Sequence, residues 1–291
     1  MTTHIVGTGD WQNILHTLRA DTRSALAAAV LLVIVVLVLI GPLLSPYAPY
    51  EQLDITNLVH RSPSAAHLLG TDAYSRDVLS RVLSGGRVSL AVAASAVLIE
   101  ALVGILWGVT AGLAGGRIDA LMMRCVDAGL SVPRVLLLLA LLASVPAIPI
   151  WLLVVVLGVT GWFGIARLVR GEVRTIRNTD FVLAARALGA RSSRLAARHV
   201  LPHVLGPVLV ASTLAVGQVI VLEAGLSWLG IGVQPPAASW GNIIRDGTEF
   251  IASAPWVSIG PGFVLVIVVL AVSALGDGLR DALAPRQLPR T

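Results

Sequence analysis

Apolar runs long enough to cross a bilayer recur six times along the chain. The first is Ala25 to Leu44, and others follow at 88–113, 121–145, 149–169, 204–228 and 257–277. At 1.5 Å per residue, a run of about 20 residues spans about 30 Å, one hydrocarbon core. The pattern predicts an all-α integral membrane protein with six transmembrane helices. The first run has a long polar lead and ends in GPLLSPYAPY with no small-x-small cleavage site, so it reads as an uncleaved anchor. The third and fourth runs are joined by VPAIP, a tight uncharged hairpin. The segments are then 1–24 (N-terminal), 25–44 (anchor), 45–87 (outer loop with an amphipathic elbow), 88–278 (a core of five helices) and 279–291 (tail).

Within this pattern the polar exceptions carry the information. In TDAYSRDVLSR, Val78, Leu79, Val82 and Leu83 are expected at the membrane surface, with Arg76, Asp77 and Arg81 left in water. Glu100 interrupts the second run. A mid-helix charge costs about 2.5–3.5 kcal/mol, against about −4 to −7 from the Val, Leu and Ile of that helix, so the span survives. Its carboxylate either lines a pathway or is packed and neutral. Glu223, near the outer end of the fifth run, either faces a pathway or pairs with an outer-loop Arg. Gly104, Gly108 and Gly112 lie four apart and predict close helix approach. Trp240, after the paired prolines of QPP, suits either membrane-interface anchoring or contact with a binding protein.

Charge sets orientation and excludes functions. All 21 basic residues are Arg. Without Lys there is no GxxxxGK[ST] phosphate loop, so any ATP must be hydrolysed by a partner. With the N-terminus inside, sixteen Arg fall on the inner side and five on the outer, which places both termini in the cytoplasm. Cys125 is the single cysteine and is expected to pack as a small hydrophobe. His199 and His203 lack the Glu of a zinc-protease motif, and Ser227 and Ser239 sit in no nucleophile elbow. No catalytic residue, metal site, cofactor or nucleic-acid motif is read.

Between the fourth and fifth runs lies a loop, 170–203, too long for a turn and too polar to span. Phe181 to Leu188 reads as a short helix, Gly189 as its C-terminal break, and Arg191 or Ser192 as the start of a second helix with serines available as caps. Pro202 marks the next span. Such an elbow suits docking to another protein, or is a solvated basic loop that sets topology.

Ala184-Ala185-x3-Gly189, nine residues, then His199-x-Leu201-Pro202 resembles the EAA loop of ABC importer permeases. Leu183 stands where that motif has Glu, and His199 where it has Ile, which resembles the oligopeptide/dipeptide/nickel branch. Residues 69–90, 226–247 and 275–286 resemble the same branch. The resemblance implies the type I importer permease fold in a bacterial inner membrane. It implies Ala184, Ala185, Gly189, Leu201 and Pro202 as ATPase-coupling positions and leaves Glu100 and Glu223 as pathway candidates. It also implies partners: a second homologous permease, two ATPases carrying ATP and Mg, an extracytoplasmic substrate-binding protein and membrane lipid. Nickel or glutathione import are the alternatives within the branch. An ion-coupled transporter or a scaffold would not explain the docking motif.

A cysteine at Ser193, in a Cys125→Ala background, is expected to react with impermeant thiol reagents only from the cytoplasmic side. Labelling from outside would overturn the orientation.

Overall fold

The computed structural model describes residues 21–283; residues 1–20 of the N-terminal segment and 284–291 of the tail lie outside the described residues. Apart from one antiparallel bridge between Thr71 and Asp77, the described chain is helix and loop. Four helices are long and apolar enough to cross a membrane, and two bent pairs raise the number to six if each pair is one span.

Helix α1, Thr22–Leu44, is capped by the Asp21 carboxylate, which accepts from the Arg23 and Ser24 amides. Pro42 has no N–H, so the carbonyl four residues back, at Val38, loses its helical donor. Arg87 replaces it: its Nε donates to Val38 at 3.0 Å, and the same guanidinium reaches Leu39. Thus α1 is tied to the next helix where its own ladder is broken. Leu32, Leu37 and Leu43 stay exposed, as lipid-facing positions do.

Helix α2, Val78–Ala114, has 37 residues, about 55 Å of helix against a hydrocarbon core of about 30 Å. It therefore starts well before the predicted 88 and absorbs the expected elbow. This corrects the sequence expectation for that segment. Asp77 caps α2 through the Ser80 amide and also meets the His67 ring nitrogen at 3.0 Å. Asp77 and Arg81 are buried rather than wet. Arg81 Nη1 donates to Asp72 at 2.6 Å and Nη2 to Asp246 at 3.1 Å; Arg76 contacts the same two carboxylates. Paired charges need no water, so burial costs far less than it would for one alone.

The third and fourth spans are each broken. Helices α3, Gly116–Ser131, and α4, Arg134–Leu142, meet at 82° across Val132 and Pro133. Helices α5, Ile150–Gly161, and α6, Phe163–Ile176, meet at 42°. Helix α6 continues beyond the predicted 169. It is bound to α3 by a two-pronged ion pair, Arg170 to Asp119 at 2.8 and 2.7 Å. Cys125 is exposed on α3, not packed.

Helices α7, Asp180–Ala187, and α8, Ser192–Leu195, form the elbow. A π-helical turn, Ala196–Val200, then joins α8 to α9, Leu201–Trp228. Ser192 to Trp228 thus runs as one helical stretch of 37 residues. Helix α10, Trp240–Thr248, lies in the loop between α9 and the last span and begins with a capping box between Ser239 and Asn242. Trp240 is fully buried and its Nε1 donates to Val82 at 3.0 Å, so it is a core residue and not an interface anchor. Helix α11, Trp256–Leu283, closes the bundle against α1 and α9.

The hub is α2, which packs on α1, α5, α6 and α9. Its expected glycine stripe faces α6. A Cβ on Gly104 would lie 2.7 Å from Ile165, on Gly108 2.6 Å from the Ala166 carbonyl, and on Gly112 2.6 Å from Val173. No side chain fits between these backbones. Gly108→Leu should therefore destabilise the purified chain by about 1–3 kcal/mol, the usual cost of overpacking. Gly164→Ala, where a Cβ meets nothing within 4 Å, should not. Thermal unfolding in detergent, followed by tryptophan fluorescence, distinguishes the two; equal melting temperatures would contradict the seam.

Candidate functional site

The elbow is built by local rules. Thr179 is the extended residue before α7, and its hydroxyl donates back to the Ile176 carbonyl at 2.6 Å. At the other end Gly189 has φ +82°, a left-handed conformation that side chains with a Cβ adopt at a cost. The Gly189 amide donates to Arg186 at 3.0 Å and the Ala190 amide to Ala185 at 3.1 Å. This pair of bonds is the Schellman arrangement that stops a helix and turns the chain. The second helix starts at Ser192, but its cap is the backbone of Arg191 with no side-chain cap bond; the serines do not act as caps. Arg177 ties the loop to the end of α2 by donating to the Gly112 carbonyl at 2.8 Å.

Packing divides the elbow into an anchor and a tip. Val182 and Leu195 are buried among Val169, Val173, Ile176, Val200 and Val204. Ala185 and Leu201 pack against this cluster, and Pro202 sits half-buried in the first turn of α9. Phe181 stacks on His203 with ring centroids 5.7 Å apart and lies 6.1 Å from His199. His203 Nδ1 is 2.7 Å from the His199 carbonyl. The two histidines are therefore packing partners of α7. Among the described residues no group of three His, Cys, Asp or Glu side chains could hold a metal.

The tip is apolar and open. Leu188 is 88% exposed and Leu183 46% exposed, with Ala184 and Gly189 exposed between them. A Cβ on Gly189 would meet nothing within 4 Å, so only its backbone conformation requires glycine. Of the five motif positions, Ala184 and Gly189 lie on the tip, while Ala185, Leu201 and Pro202 hold it to the bundle.

Both intramembrane carboxylates are inside the bundle. Glu100 is buried and ion-paired with Arg134, whose Nη2 also donates to the Leu157 carbonyl at 2.7 Å. This joins α2, α4 and α5. A Cβ on Gly161 would collide with the Glu100 carboxylate. Arg134 thus reaches into the bundle rather than lying in a loop that sets orientation. Glu223 is fully buried and accepts from Ser89 at 2.8 Å and Ser227 at 2.7 Å; its partners are hydroxyls, not an Arg. Ser227 in turn accepts the Val233 amide at 2.9 Å, and Ser89 accepts the Trp240 amide at 3.2 Å. Glu223 thus joins α2, α9 and the loop that follows α9.

Sequence reasoning missed Arg134, Ser89 and Asp246 as partners. They lie 34, 134 and 165 or more residues from the groups they satisfy. The available signal was the need itself: a charge in an apolar helix requires a partner somewhere.

The description of binding-protein-dependent transport system inner membrane components matches residues 104–288. That of the N-terminal transmembrane domain of oligopeptide transport permease C matches residues 10–63. The chain is similar to the oligopeptide transport system permease protein of Bacillus subtilis (strain 168), 34% identical over 276 residues, 95% of this chain and 90% of that protein. It is 40% identical over 277 residues to the dipeptide transport system permease protein of the same organism, 94% of this chain and 85% of that one. The oligopeptide transport system permease protein of Haemophilus influenzae is 34% identical over 278 residues, 95% and 88% respectively.

Arg134→Leu should destabilise the fold by about 3–5 kcal/mol, because it leaves the Glu100 carboxylate buried without its cation. The Glu100→Leu/Arg134→Leu double variant should recover most of that loss. A double variant that melts as low as the worse single would show that the pair is not a unit.

Proposed function

Because this chain belongs to the binding-protein-dependent transport system inner membrane components, we propose that it forms half of the translocation pathway of an ATP-driven importer of oligopeptides or dipeptides. A second homologous permease supplies the other half. An extracytoplasmic binding protein delivers cargo to the face made by 45–77 and 229–256. Both termini lie in the cytoplasm, on the side of the elbow. The peptide cargo rests on the relatives, whose names specify oligopeptide and dipeptide transport.

The observation that carries this reading is the exposed apolar tip on the Gly189 elbow. Leu188, at 88% exposure, is not covered by any of the described residues. Full burial of a leucine is worth about 1.5–3 kcal/mol. The tip fits a groove on a separate ATPase, one copy for each permease. The lack of Lys in this chain leaves ATP and Mg to those partners. Leu183 replaces the usual carboxylate of the motif, so docking relies on apolar contact within a basic rim. Coupling requires that the tip bind the two nucleotide states of the ATPase with different affinity. Ala184 and Gly189 make the contact; Ala185, Leu201 and Pro202 transmit it. Glu100 and Glu223 support the pathway wall from behind, through Arg134 and through Ser89 and Ser227.

The test is uptake into proteoliposomes by the chain assembled with its second permease, ATPases and binding protein. Uptake should require ATP. Gly189→Pro should abolish it with the complex still assembled, because proline is confined near φ −65°. Leu188→Asp should reduce co-purification of the ATPase. Uptake driven by an ion gradient alone would overturn the assignment.

A further inference from the structure

On the proposed peptide-import reading, the structure points to a cargo contact on α9: we propose that Gln218 faces the water-filled pathway and hydrogen-bonds to the backbone of the passing peptide.

Gln218 is the eighteenth of the 28 residues of α9, about 15 Å from its outer end at 1.5 Å per residue. That depth is inside the hydrocarbon. Its side chain is exposed, and among the described residues its amide has no hydrogen-bond partner. Thr213 donates to Leu209 at 2.8 Å, Ser273 to Val269 at 2.8 Å, and Ser227 to Glu223 at 2.7 Å, whereas the buried Ser212 hydroxyl on α9 has no partner among the described residues. A primary amide offers two N–H donors and one carbonyl acceptor. Lipid tails satisfy neither, so this face cannot be turned to lipid without loss.

The exposed surfaces of the neighbouring spans carry no amide. Helix α2 exposes Leu98, Leu102 and Leu106, and α11 exposes Phe263, Val266 and Leu270. These are bulky and apolar, as lipid contact demands. On α9 the exposed positions after Gln218 are Val221, Gly225 and Trp228, and a Cβ on Gly225 would meet nothing within 4 Å. The stripe is therefore polar at Gln218 and open at Gly225, with Val221 and Trp228 as its apolar members.

The charge pattern favours a peptide backbone as the ligand. The one carboxylate of α9, Glu223, is turned inward and held by Ser89 and Ser227. The exposed face of α9 between Leu205 and Trp228 carries no charge. A neutral amide beside a neutral wall pairs with the N–H and C=O that every peptide bond presents, whatever its side chains. It does not select cargo by charge, as a free Glu or Arg would.

The experiment uses the reconstituted complex, with Gln218→Cys, Leu102→Cys and Phe263→Cys each in a Cys125→Ala background. The probe is a charged, membrane-impermeant methanethiosulfonate, applied with and without ATP plus vanadate. The cysteine at 218 should react at least ten times faster than those at 102 and 263, and its rate should change between the two nucleotide conditions. A cysteine at 218 as inert as the other two in both conditions overturns the proposal and means that a helix of the partner permease covers it. Separately, wild type, Gln218→Asn and Gln218→Leu are supplied with a mixture of peptides of two to six residues, and lumenal peptides are read by mass spectrometry. Gln218→Leu should raise the concentration for half-maximal uptake about threefold or more across the mixture, and Gln218→Asn should restore part of the loss. Unchanged uptake by Gln218→Leu overturns the cargo contact. Wild-type complex that takes up none of these peptides while importing another solute would instead overturn the peptide reading, and the labelling result would still decide whether Gln218 faces the pathway.

Discussion

A bilayer core contains no water to accept or donate a hydrogen bond, and an unpaired polar group there costs several kcal/mol. Three irregularities in this bundle are answered by side chains from other helices. Pro42 frees the Val38 carbonyl, and Arg87 takes it. Glu100 breaks the apolar run of α2, and Arg134 meets it from the far side of a sharp bend. Glu223 enters α9, and two serines receive it. These are cross-links as well as repairs. Because each joins elements distant in the chain, they set the arrangement that apolar packing alone would leave loose: lipid tails compete with leucine on equal terms, and hydrophobicity provides little force between helices.

Close approach provides the remaining order. Gly104, Gly108 and Gly112 let α2 lie against the backbone of α6. Helix α6 continues from that seam into the elbow, where Arg177 reaches back to Gly112. The elbow is therefore an extension of the tightest contact in the bundle. Its tip is exposed and its root is fixed, which is the combination that a docking element needs if it is to pass on displacement.

Much of this was legible in the chain. The apolar runs mark the spans, Gly189 marks the turn between α7 and α8, and the glycine spacing marks the α2–α6 seam. What hydropathy could not show was direction. It averages over a window and gives the same value for a straight helix and for α3 and α4 meeting at 82°. It placed Arg76 and Arg81 in water because the chain around them gives no hint of Asp246, 165 or more residues away, which joins the nearby Asp72 in pairing with them. It left Trp240 between the membrane interface and a binding protein, whereas the Val82 carbonyl draws this one into the core. Pairing across 100 or more residues is a property of the fold, and one sequence does not display it. The division of the motif into tip and anchor was hidden for the same reason, since Val182 and Leu195 become its root only once α6 and α9 surround them.

The stretch from Ser192 to Trp228 is unbroken over 37 residues, about 55 Å at 1.5 Å per residue. It begins beside the Gly189 tip and ends where Glu223 and Ser227 hold the loop that follows α9. In mechanical terms it is a single rod with the Gly189 elbow at one end and the Glu223 contacts at the other. A tilt of about 5° at one end moves the other by about 5 Å, from length alone. A pull on the tip would load the hydroxyls around Glu223, and freeing the loop that follows α9 would take the breaking of a few bonds of ordinary strength.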